Sequence, residues 1–501
     1  METLEVTQRY GKTLSPTGST QPETPAWTKE VDNPFLHGFF APTTQEESVD
    51  ALEVEGDIPP DLFGGYYRNG PNPKYKPRNR YHWFDGDGMV WGIIFEGGKA
   101  RYRNRWIRTK CLEEEDRRKQ SVWPGVLGPF DFNLPISPIK DTANTDLFFR
   151  QGTLFATWYE SGEVYGVDPE SLSTRAAENF GGRLEIPLSA HSKVDPNTGD
   201  LIFFSFDIKP PFLHYGVLSP DGAMHIQPID LPGPRLPHDI GVSENYSILH
   251  DFPLIFDHKK LQATGMRHPR YRPDIPTRFG VIPRFGTKDQ VRWFDCKPCY
   301  MLHVVNCYED GDELVQIGCR TDDPTLRPDA RDGDLAGLMA YLTLQANLYE
   351  WRFNLKTGDV KEGPICQLNA EFPTINRQFM GRRNRHAYLQ YIPHEAPPTF
   401  DALVKYNLDS GRHETWNYGR GVFGSEAPFA PKVGAGDEDD GYVLTFTTDT
   451  ASWTSKCLIF DAKEIKQGPI CQIKLPHRLP GGFHALWVPG DELRRSGEVW
   501  D

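Results

Sequence analysis

The sequence lacks several features that would place it in a familiar class of protein. It contains no run of 18 apolar residues, so no membrane-spanning helix is expected. Basic residues are in the minority, and the 501-residue chain carries a net charge of −14, which argues against a nucleic-acid-binding protein with a basic face. The first ten residues, METLEVTQRY, are polar and acidic and do not resemble a secretory signal.

Cysteine is also scarce, with 8 residues scattered along the chain. Without a secretory context these residues indicate reduced thiols, so we expect a cytoplasmic protein, with peripheral membrane contact left open. Cys296-x-x-Cys299 precedes His303 and could form a zinc or redox site. No second CxxC motif accompanies it, which weakens that hypothesis.

Turn residues and aromatic residues are plentiful. The chain has 46 Gly and 43 Pro, and short apolar runs alternate with turn signals, which is typical of β-hairpins. Residues 1–30 are rich in Thr, Pro, Ser and Glu and are predicted to be a flexible arm. Residues 31–501 are predicted to form one domain.

A loose repeat indicates the architecture of that domain. Five segments share a β run, a turn at Asp, Asn or Ser, and a return; their equivalent positions are Val167, Val217, Phe353, Tyr406 and Phe460. Adjacent members lie 50, 53 and 54 residues apart, and a gap of 136 residues would hold two or three further units. Periods near 50 residues predict an all-β, seven-bladed β-propeller, with an array of β-sandwiches as the alternative. Residues 333–351 break the pattern and are predicted to form an amphipathic helix that caps one face.

Four of the 15 histidines lie at predicted strand edges among apolar or small residues: His191, His238, His303 and His484. Successive members are 47, 65 and 181 residues apart, so no single helix or hairpin can bring them together. The inner strands of a propeller converge on one axis, and each blade can offer one imidazole. Imidazole is a good ligand for Fe, Zn, Cu and Ni. From these residues alone, a metal site and ordinary buried histidines both stay open.

Motifs across nearly the whole chain resemble those of the carotenoid cleavage oxygenase superfamily, whose members cleave carotenoids, apocarotenoids, stilbenes and phenylpropenes. The matching segments are GGYYRNGPNP (64–73), YHWFDGDGMV (81–90), NRWIRT (104–109), DTANTD (141–146), SAHSKVDPNTGD (189–200), HDIGVSENYSI (238–248), AEFPTINRQFMGRRNRHAYL (370–389) and GFHALWV (482–488).

This resemblance implies a seven-bladed propeller with one Fe(II) per chain at its axis. The implied iron ligands, which also serve as the catalytic residues, are His191, His238, His303 and His484. Three glutamates, Glu160, Glu371 and Glu426, are implied to hold three of the imidazoles. A carboxylate that accepts the distal ring N–H fixes the tautomer, raises ligand basicity and compensates the metal charge.

The implied reaction inserts O2 across a C=C bond of a hydrophobic small molecule and gives two carbonyl products. By resemblance Thr145 shields an open metal position, and Phe372 is expected at the same site. Lys140 and Trp106 fall where phenol-cleaving relatives bind a phenol; the Trp favours polyene packing, because an indole donates one hydrogen bond and accepts none. We therefore expect a carotenoid or apocarotenoid substrate. A phenolic stilbene or phenylpropene is the alternative, followed by a non-catalytic binding propeller.

Such a substrate lies in a membrane, so the resemblance also implies an apolar patch that contacts lipid. The corresponding segment, 121–130, contains Val122, Trp123, Val126, Leu127 and Phe130. We expect peripheral membrane contact through this segment.

Overall fold

Seven antiparallel sheets of four to six strands form the seven blades of a β-propeller, as the repeat predicted. The computed structural model describes residues 23–328, 330, 337, 344–393 and 397–495. In each blade the strands run from the propeller axis outward, and the innermost strands of neighbouring blades contact one another. The innermost strands of the seven blades therefore surround one central axis.

The first four blades follow one another along the chain, except that blade 1 also contains the last strand. Blade 1 contains β1 (Ser48–Val49), β3 (Gly64–Pro71), β4 (Gly88–Glu96), β5 (Lys99–Trp106) and β33 (Ala485–Pro489). Blade 2 contains β6 (Asp146–Arg150), β7 (Thr153–Thr157), β8 (Val164–Val167) and β9 (Thr174–Glu178). Blade 3 contains β10 (Lys193–Val194), β11 (Leu201–Phe206), β12 (Phe212–Leu218) and β13 (Met224–Asp230). Blade 4 contains β14 (Gly241–Val242), β15 (Tyr246–Asp251), β18 (Thr277–Pro283) and β19 (Arg292–Cys296), with the hairpin β16 (Leu254–Ile255) and β17 (Arg270–Tyr271) inserted.

The remaining three blades complete the circle. Blade 5 contains β20 (Tyr300–Asp310), β21 (Glu313–Thr321), β22 (Asn347–Asn354) and β23 (Val360–Pro364). Blade 6 contains β24 (Ala370–Thr374), β25 (His386–Tyr391), β26 (Ala402–Asn407) and β27 (Arg412–Asn417). Blade 7 contains β28 (Val422–Phe423), β29 (Phe429–Pro431), β30 (Gly441–Asp449), β31 (Thr454–Asp461), β32 (Cys471–Lys474) and the early strand β2 (Val54–Gly56).

Strands from both ends of the chain close the ring. β33 pairs with β3 in antiparallel register, with Arg68 opposite Ala485 and Gly64 opposite Pro489. At the outer edge of blade 7, β2 pairs with β32. Apolar side chains of blades 1 and 7 then form one shared cluster that includes Trp91, Phe446 and Ile473. The first and last blades are thus joined by main-chain pairing and by core packing.

The five repeat positions all lie in the third strand of their blades, counted from the axis. They occur in β8, β12, β22, β26 and β31. Their side chains are fully buried, because a third strand has sheets packed on both faces. The long gap between Val217 and Phe353 holds one intervening blade, blade 4, rather than two or three. The extra residues lie in the insertion between β15 and β18 and in the long connection between β21 and β22.

The predicted helix at 333–351 is corrected at its carboxyl-terminal end. Residues 331–336 and 338–343 lie outside the described residues, but 347–351 belong to β22 and pair with β21. Leu348, Tyr349 and Trp351 are buried there, so an apolar spacing that also fits a helix serves a strand of blade 5. Three α-helices are described: α1 (Lys110–Arg118), α2 (His258–Thr264) and α3 (Gly490–Arg495).

Part of the predicted arm is ordered against the propeller. Residues 1–22 lie outside the described residues. Ala26–Glu30 forms a 3-10 helix, and Trp27 packs beside a cluster that contains Phe35 and Trp83. Over the described ranges, the other 3-10 helices are Pro34–Leu36, Gly38–Phe40, Trp83–Asp85, Lys288–Gln290, Arg377–Phe379 and Ile465–Gln467.

The apolar segment at 121–130 packs inward. Val122, Trp123 and Phe130 are buried, and Val126 and Leu127 are partly buried against other clusters. The exposed apolar residues of this region come just after it, at Phe132 and Ile136. Over the described part of the chain, no helix combines the length and apolar character needed to cross a membrane.

Candidate metal centre

The four predicted histidines meet at the propeller axis. Each belongs to the start of a different blade: His191 precedes β10, His238 precedes β14, His303 lies in β20, and His484 precedes β33. One potential ligand atom from each ring lies within 4.8 Å of those of the other three, and all four residues are buried. Within the described residues, this is the single group of three or more His, Cys, Asp or Glu able to hold a metal ion.

Irregular strands aim two of the side chains. The pairing of β20 with β21 shifts register between Met301 and Val304, so His303 sits on a bulge. The pairing of β24 with β25 shifts between Glu371 and Thr374. Bulges are a common way to redirect a side chain toward a functional site. His191 adopts a positive φ of 62°, an uncommon conformation that the surrounding contacts must hold in place.

Three of the rings are held by carboxylates through their Nδ1 atoms. His303 Nδ1 contacts Glu371 Oε2 at 2.5 Å, and His484 Nδ1 donates to Glu426 Oε1 at 3.0 Å. His191 Nδ1 lies 3.2 Å from Asp146 Oδ2. Because Nδ1 carries the proton in each case, the Nε2 lone pair is free to bind a metal.

Burial favours neutral imidazoles at this site. It lowers the pKa of three members, since a charged ring would lose its hydration; they are His191, His238 and His303. His484 differs: burial would lower its pKa, but the adjacent Glu426 and the more distant Asp146 raise it. For Asp146, burial is outweighed by the hydrogen bond with His191, which holds the pKa of the carboxyl group below its usual range. A neutral ring is the form that binds a cation.

The geometry fits one metal ion. Nε2 of His191 and Nε2 of His238 are 3.1 Å apart, and Nε2 of His303 is buried without a hydrogen-bond partner among the described atoms. A metal bound to nitrogen at about 2.1 Å places adjacent ligands about 3 Å apart and opposite ones about 4.2 Å apart. Several inward-facing lone pairs without a cation between them would repel one another. The residues therefore fit a divalent metal of the type that imidazole prefers.

Thr145 and Phe372 lie beside the centre, as expected from the sequence. The carbonyl oxygen of Thr145 accepts a hydrogen bond from the His484 main chain, and its hydroxyl accepts one from Tyr159 N. The Phe372 ring stacks on His484 with centroids 4.8 Å apart and lies 5.0 Å from the His303 ring. Phe372 therefore contacts the imidazole of His484, and Thr145 holds its main chain.

The polar groups of Lys140 and Trp106, which were expected to meet the substrate, are bonded within the protein. Lys140 Nζ is 2.6 Å from Asp87 Oδ1 and 2.6 Å from Glu115 Oε2, and both carboxylates are buried. Trp106 Nε1 donates to the main-chain oxygen of Asn72 inside the core shared by blades 1 and 7. Both polar groups are thus engaged by the protein itself.

Glu160 also departs from the expected role. Its two carboxylate oxygens accept hydrogen bonds from Arg267 Nη1 and Nη2, at 2.6 and 2.7 Å. Within the described part of the chain, no carboxylate makes a hydrogen bond to the ring of His238. Asp146 was not among the site residues predicted from the sequence. The sequence feature that could have indicated it is a carboxylate next to Thr145, at the start of an apolar strand.

The cysteine hypothesis is not supported by the geometry. His303 belongs to the four-histidine group, which contains no cysteine. Cys296 and Cys299 are buried near Thr277, whose hydroxyl donates to the carbonyl of Cys299. Burial raises the pKa of both thiols, which is the opposite of what a metal-binding or reactive thiolate requires.

Two cavities flank the centre. One, of about 480 Å³, reaches His238, where apolar side chains such as Leu236 and Leu302 line it; its other lining residues include Asp322 and Arg327. The other, of about 170 Å³, reaches His191, His303 and His484, and its lining combines charged residues such as Lys193 with apolar ones such as Ile240. Both cavities therefore present apolar and polar side chains to a ligand, and the one that reaches His238 offers more room.

A propeller with a buried four-histidine centre beside a cavity fits a metal-binding enzyme. The family model described as "RPE65: Retinal pigment epithelial membrane protein" matches residues 40–489. The carotenoid 9,10(9',10')-cleavage dioxygenase 1 of Phaseolus vulgaris is 32% identical, over 93% of this chain and 91% of the relative.

Solved structures agree in fold. The Pseudomonas brassicacearum lignostilbene dioxygenase has a TM-score of 0.82 and 28% identity, covering 94% of this chain and 100% of that one. The Synechocystis apocarotenoid oxygenase, as a Glu150Asp variant, has a TM-score of 0.80 and 25% identity, covering 89% and 97%. The chain belongs to the RPE65 and carotenoid cleavage dioxygenase family, and it is an enzyme of the dioxygenase class.

Proposed function

We propose that this protein uses Fe(II) and O2 to cleave a C=C bond of a carotenoid or apocarotenoid into two carbonyl products. The observation that carries the proposal is the cavity that ends at His238. Its volume of about 480 Å³ falls in the range of small-molecule sites. The names of the plant and cyanobacterial relatives point to the same substrate class.

The cavity lining suits a long conjugated hydrocarbon. Aromatic and aliphatic side chains form the part of the lining that includes Phe84, Tyr159, Phe206, Leu236, Leu254, Tyr300, Leu302 and Leu344, and the mainly polar residues 321–327 form another part. Burying a polyene against such a surface gains roughly 25 cal/mol for each Å² removed from water. The protein then selects the cleaved bond by how far the chain can slide before its end meets the cavity wall.

The phenolic alternative loses its two expected contacts. A phenolate-binding lysine must present a free ammonium group, yet Lys140 is already shared between Asp87 and Glu115. Trp106 stands at the end of β5, the fourth strand from the axis of blade 1, and its N–H is bonded to the main chain. A stilbene remains the second candidate because the lignostilbene dioxygenase has a very similar fold.

The residues around the centre have separable roles. Iron, when bound by the four histidines, supplies the oxygen-activating chemistry that amino-acid side chains lack. Glu371 and Glu426 orient two of the imidazoles. Phe372 and the cavity wall exclude water from the reacting bond, and Thr145 limits access on the side where it contacts the His484 main chain.

A competition between the two substrate classes tests the proposal. The Fe(II)-loaded protein is incubated in air with an equimolar mixture of an apocarotenal and a hydroxystilbene, and aldehyde products are identified by mass spectrometry. We expect shortened apocarotenals or polyene dialdehydes, with at least about tenfold less hydroxybenzaldehyde. Hydroxybenzaldehydes alone would establish the phenolic function. No aldehyde from either substrate would contradict cleavage altogether.

We further propose that the enzyme is cytoplasmic and meets its substrate at a membrane through Phe132 and Ile136. These side chains are 42% and 54% exposed. The preceding Phe130 belongs to the same apolar cluster as Leu236, which lines the large cavity. The loop therefore connects exposed apolar surface with the substrate site.

Replacing Phe132 and Ile136 together with serine should weaken binding to phosphatidylcholine vesicles by about tenfold or more, because two apolar contacts are lost. The matched control is Val433→Ser, which alters a 75% exposed residue on blade 7. Vesicle flotation measures both variants. Equal flotation of the double variant and the unmutated protein would contradict the assignment of this loop.

A further inference from the structure

We propose that Asp146 is a positioning residue for the metal ligand His191, and that it supplies the third carboxylate of the centre. The inference deepens the proposed function, because it rests on metal binding by the four histidines. It does not depend on the identity of the substrate.

Asp146 controls both the main chain and the ring of His191. Its Oδ2 atom accepts a hydrogen bond from His191 N at 3.2 Å and lies 3.2 Å from His191 Nδ1. Its Oδ1 atom accepts a hydrogen bond from Leu147 N at 2.7 Å, which fixes the carboxylate at the start of β6. His191 has a positive φ of 62°, so a contact that holds its main chain also holds the direction of its ring.

The contact follows the same topological rule as the two glutamate contacts. In each pair, a carboxylate from the innermost part of one blade holds a histidine from an adjacent blade. The pairs are Asp146 of blade 2 with His191 of blade 3, Glu371 of blade 6 with His303 of blade 5, and Glu426 of blade 7 with His484 of blade 1. A carboxylate partner that fixes the tautomer and orientation of a ligand is the usual arrangement around metal-bound imidazoles.

The remaining expected carboxylate is engaged elsewhere. Both carboxylate oxygens of Glu160 accept hydrogen bonds from Arg267, which makes the pair bidentate. Arg267 also lies 5.4 Å from the Phe130 ring and 5.3 Å from the Phe256 ring, and both rings belong to the apolar cluster of Leu236, which lines the large cavity. Glu160 therefore fixes the position of Arg267, whereas Asp146 positions the metal ligand His191.

The test compares metal retention in Asp146→Asn, Asp146→Ala and Glu160→Gln. Each protein is loaded with Co(II), whose visible absorption bands report ligand geometry, and its metal is then removed by a chelator. We expect Asp146→Ala to release Co(II) about 10- to 100-fold faster, with shifted bands. Asp146→Asn should lie in between, because its amide oxygen still accepts the ring N–H. Glu160→Gln should release metal at the unmutated rate.

Asp195→Asn is the matched control, because Asp195 is a buried, ion-paired aspartate that binds Arg284 away from the centre. It should keep both the release rate and the bands. If Asp146→Ala does not fold by circular dichroism, Asp146→Asn decides the result.

Unchanged release and unchanged bands in the Asp146 variants would overturn the inference, as would faster release in Glu160→Gln alone. An unmutated protein that takes up no metal would instead overturn the proposed function.

Discussion

Replacing His238 with alanine should remove nearly all bound metal and lower product formation by at least about a thousandfold. A catalytic metal contributes several kcal/mol to transition-state stabilisation, and each 1.4 kcal/mol corresponds to a factor of ten in rate. His238 is buried, and its Nε2 lies 3.1 Å from Nε2 of His191. Three imidazoles cannot restore the missing ligand without moving the strands that carry them.

His238 is the most informative ligand to remove, because its loss leaves no carboxylate without a partner. Alanine at His303 would leave the buried Glu371 with only the Phe372 main-chain N–H as a partner, at a cost of about 1–3 kcal/mol. We therefore expect His238→Ala to unfold at the temperature of the metal-free unmutated protein, and His303→Ala to unfold earlier. Metal analysis, thermal unfolding and product formation are the measurements. Stoichiometric metal in His238→Ala would contradict the ligand assignment.

The blade architecture was predictable because it repeats. Val167, Tyr406 and Phe460 mark the third strand of three blades, and their spacing directly reports the length of one four-strand unit. The prediction was weakest where insertions change that length, between Val217 and Phe353. There the chain adds a hairpin and a helix to blade 4 and a long connection to blade 5. The spacing of the repeat cannot distinguish such inserted residues from further blades.

The histidines were predictable for a different reason. Apolar neighbours placed each of them on a buried strand edge, and the superfamily motifs then identified them as a set. Which carboxylate meets which ring could not be read from the same motifs. Asp146 reaches His191 across a blade boundary, so the contact depends on the rotation of two blades, and no local pattern encodes that rotation.

Trp106 illustrates the same limit at longer range. Its motif correctly predicts a strand, but the order of strands within a blade decides its distance from the axis. β5 is the fourth strand outward in blade 1, so Trp106 lies roughly 14 Å from the innermost strand at the usual spacing of strands. For Lys140, no local pattern shows that two acids distant in sequence, Asp87 and Glu115, converge on its ammonium group.

Glu426 links the metal centre to the closure of the propeller. Its Oε1 atom accepts a hydrogen bond from His484 Nδ1 at 3.0 Å, and its Oε2 atom accepts one from Ala485 N. Ala485 is the first residue of β33, the strand that completes blade 1 by pairing with β3. The carboxylate of blade 7 thus holds a metal ligand and the closing strand at the same time.

Glu426→Ala should therefore lower the free energy of unfolding by about 3–5 kcal/mol and also weaken metal binding, because a buried partner of both groups is lost. A ligand that binds only the folded state stabilises it by RT ln(1 + [L]/Kd). The gap in stability between the metal-bound and metal-free forms should consequently shrink in Glu426→Ala. The exposed Glu464→Ala, beyond the end of β31, is the control and should leave both quantities unchanged. Chemical unfolding of the unmutated protein and of both variants, each with and without metal, measures the six free energies of unfolding. A Glu426→Ala protein that unfolds like the unmutated one in both forms would mean that the closing strand is held by its pairing with β3 alone.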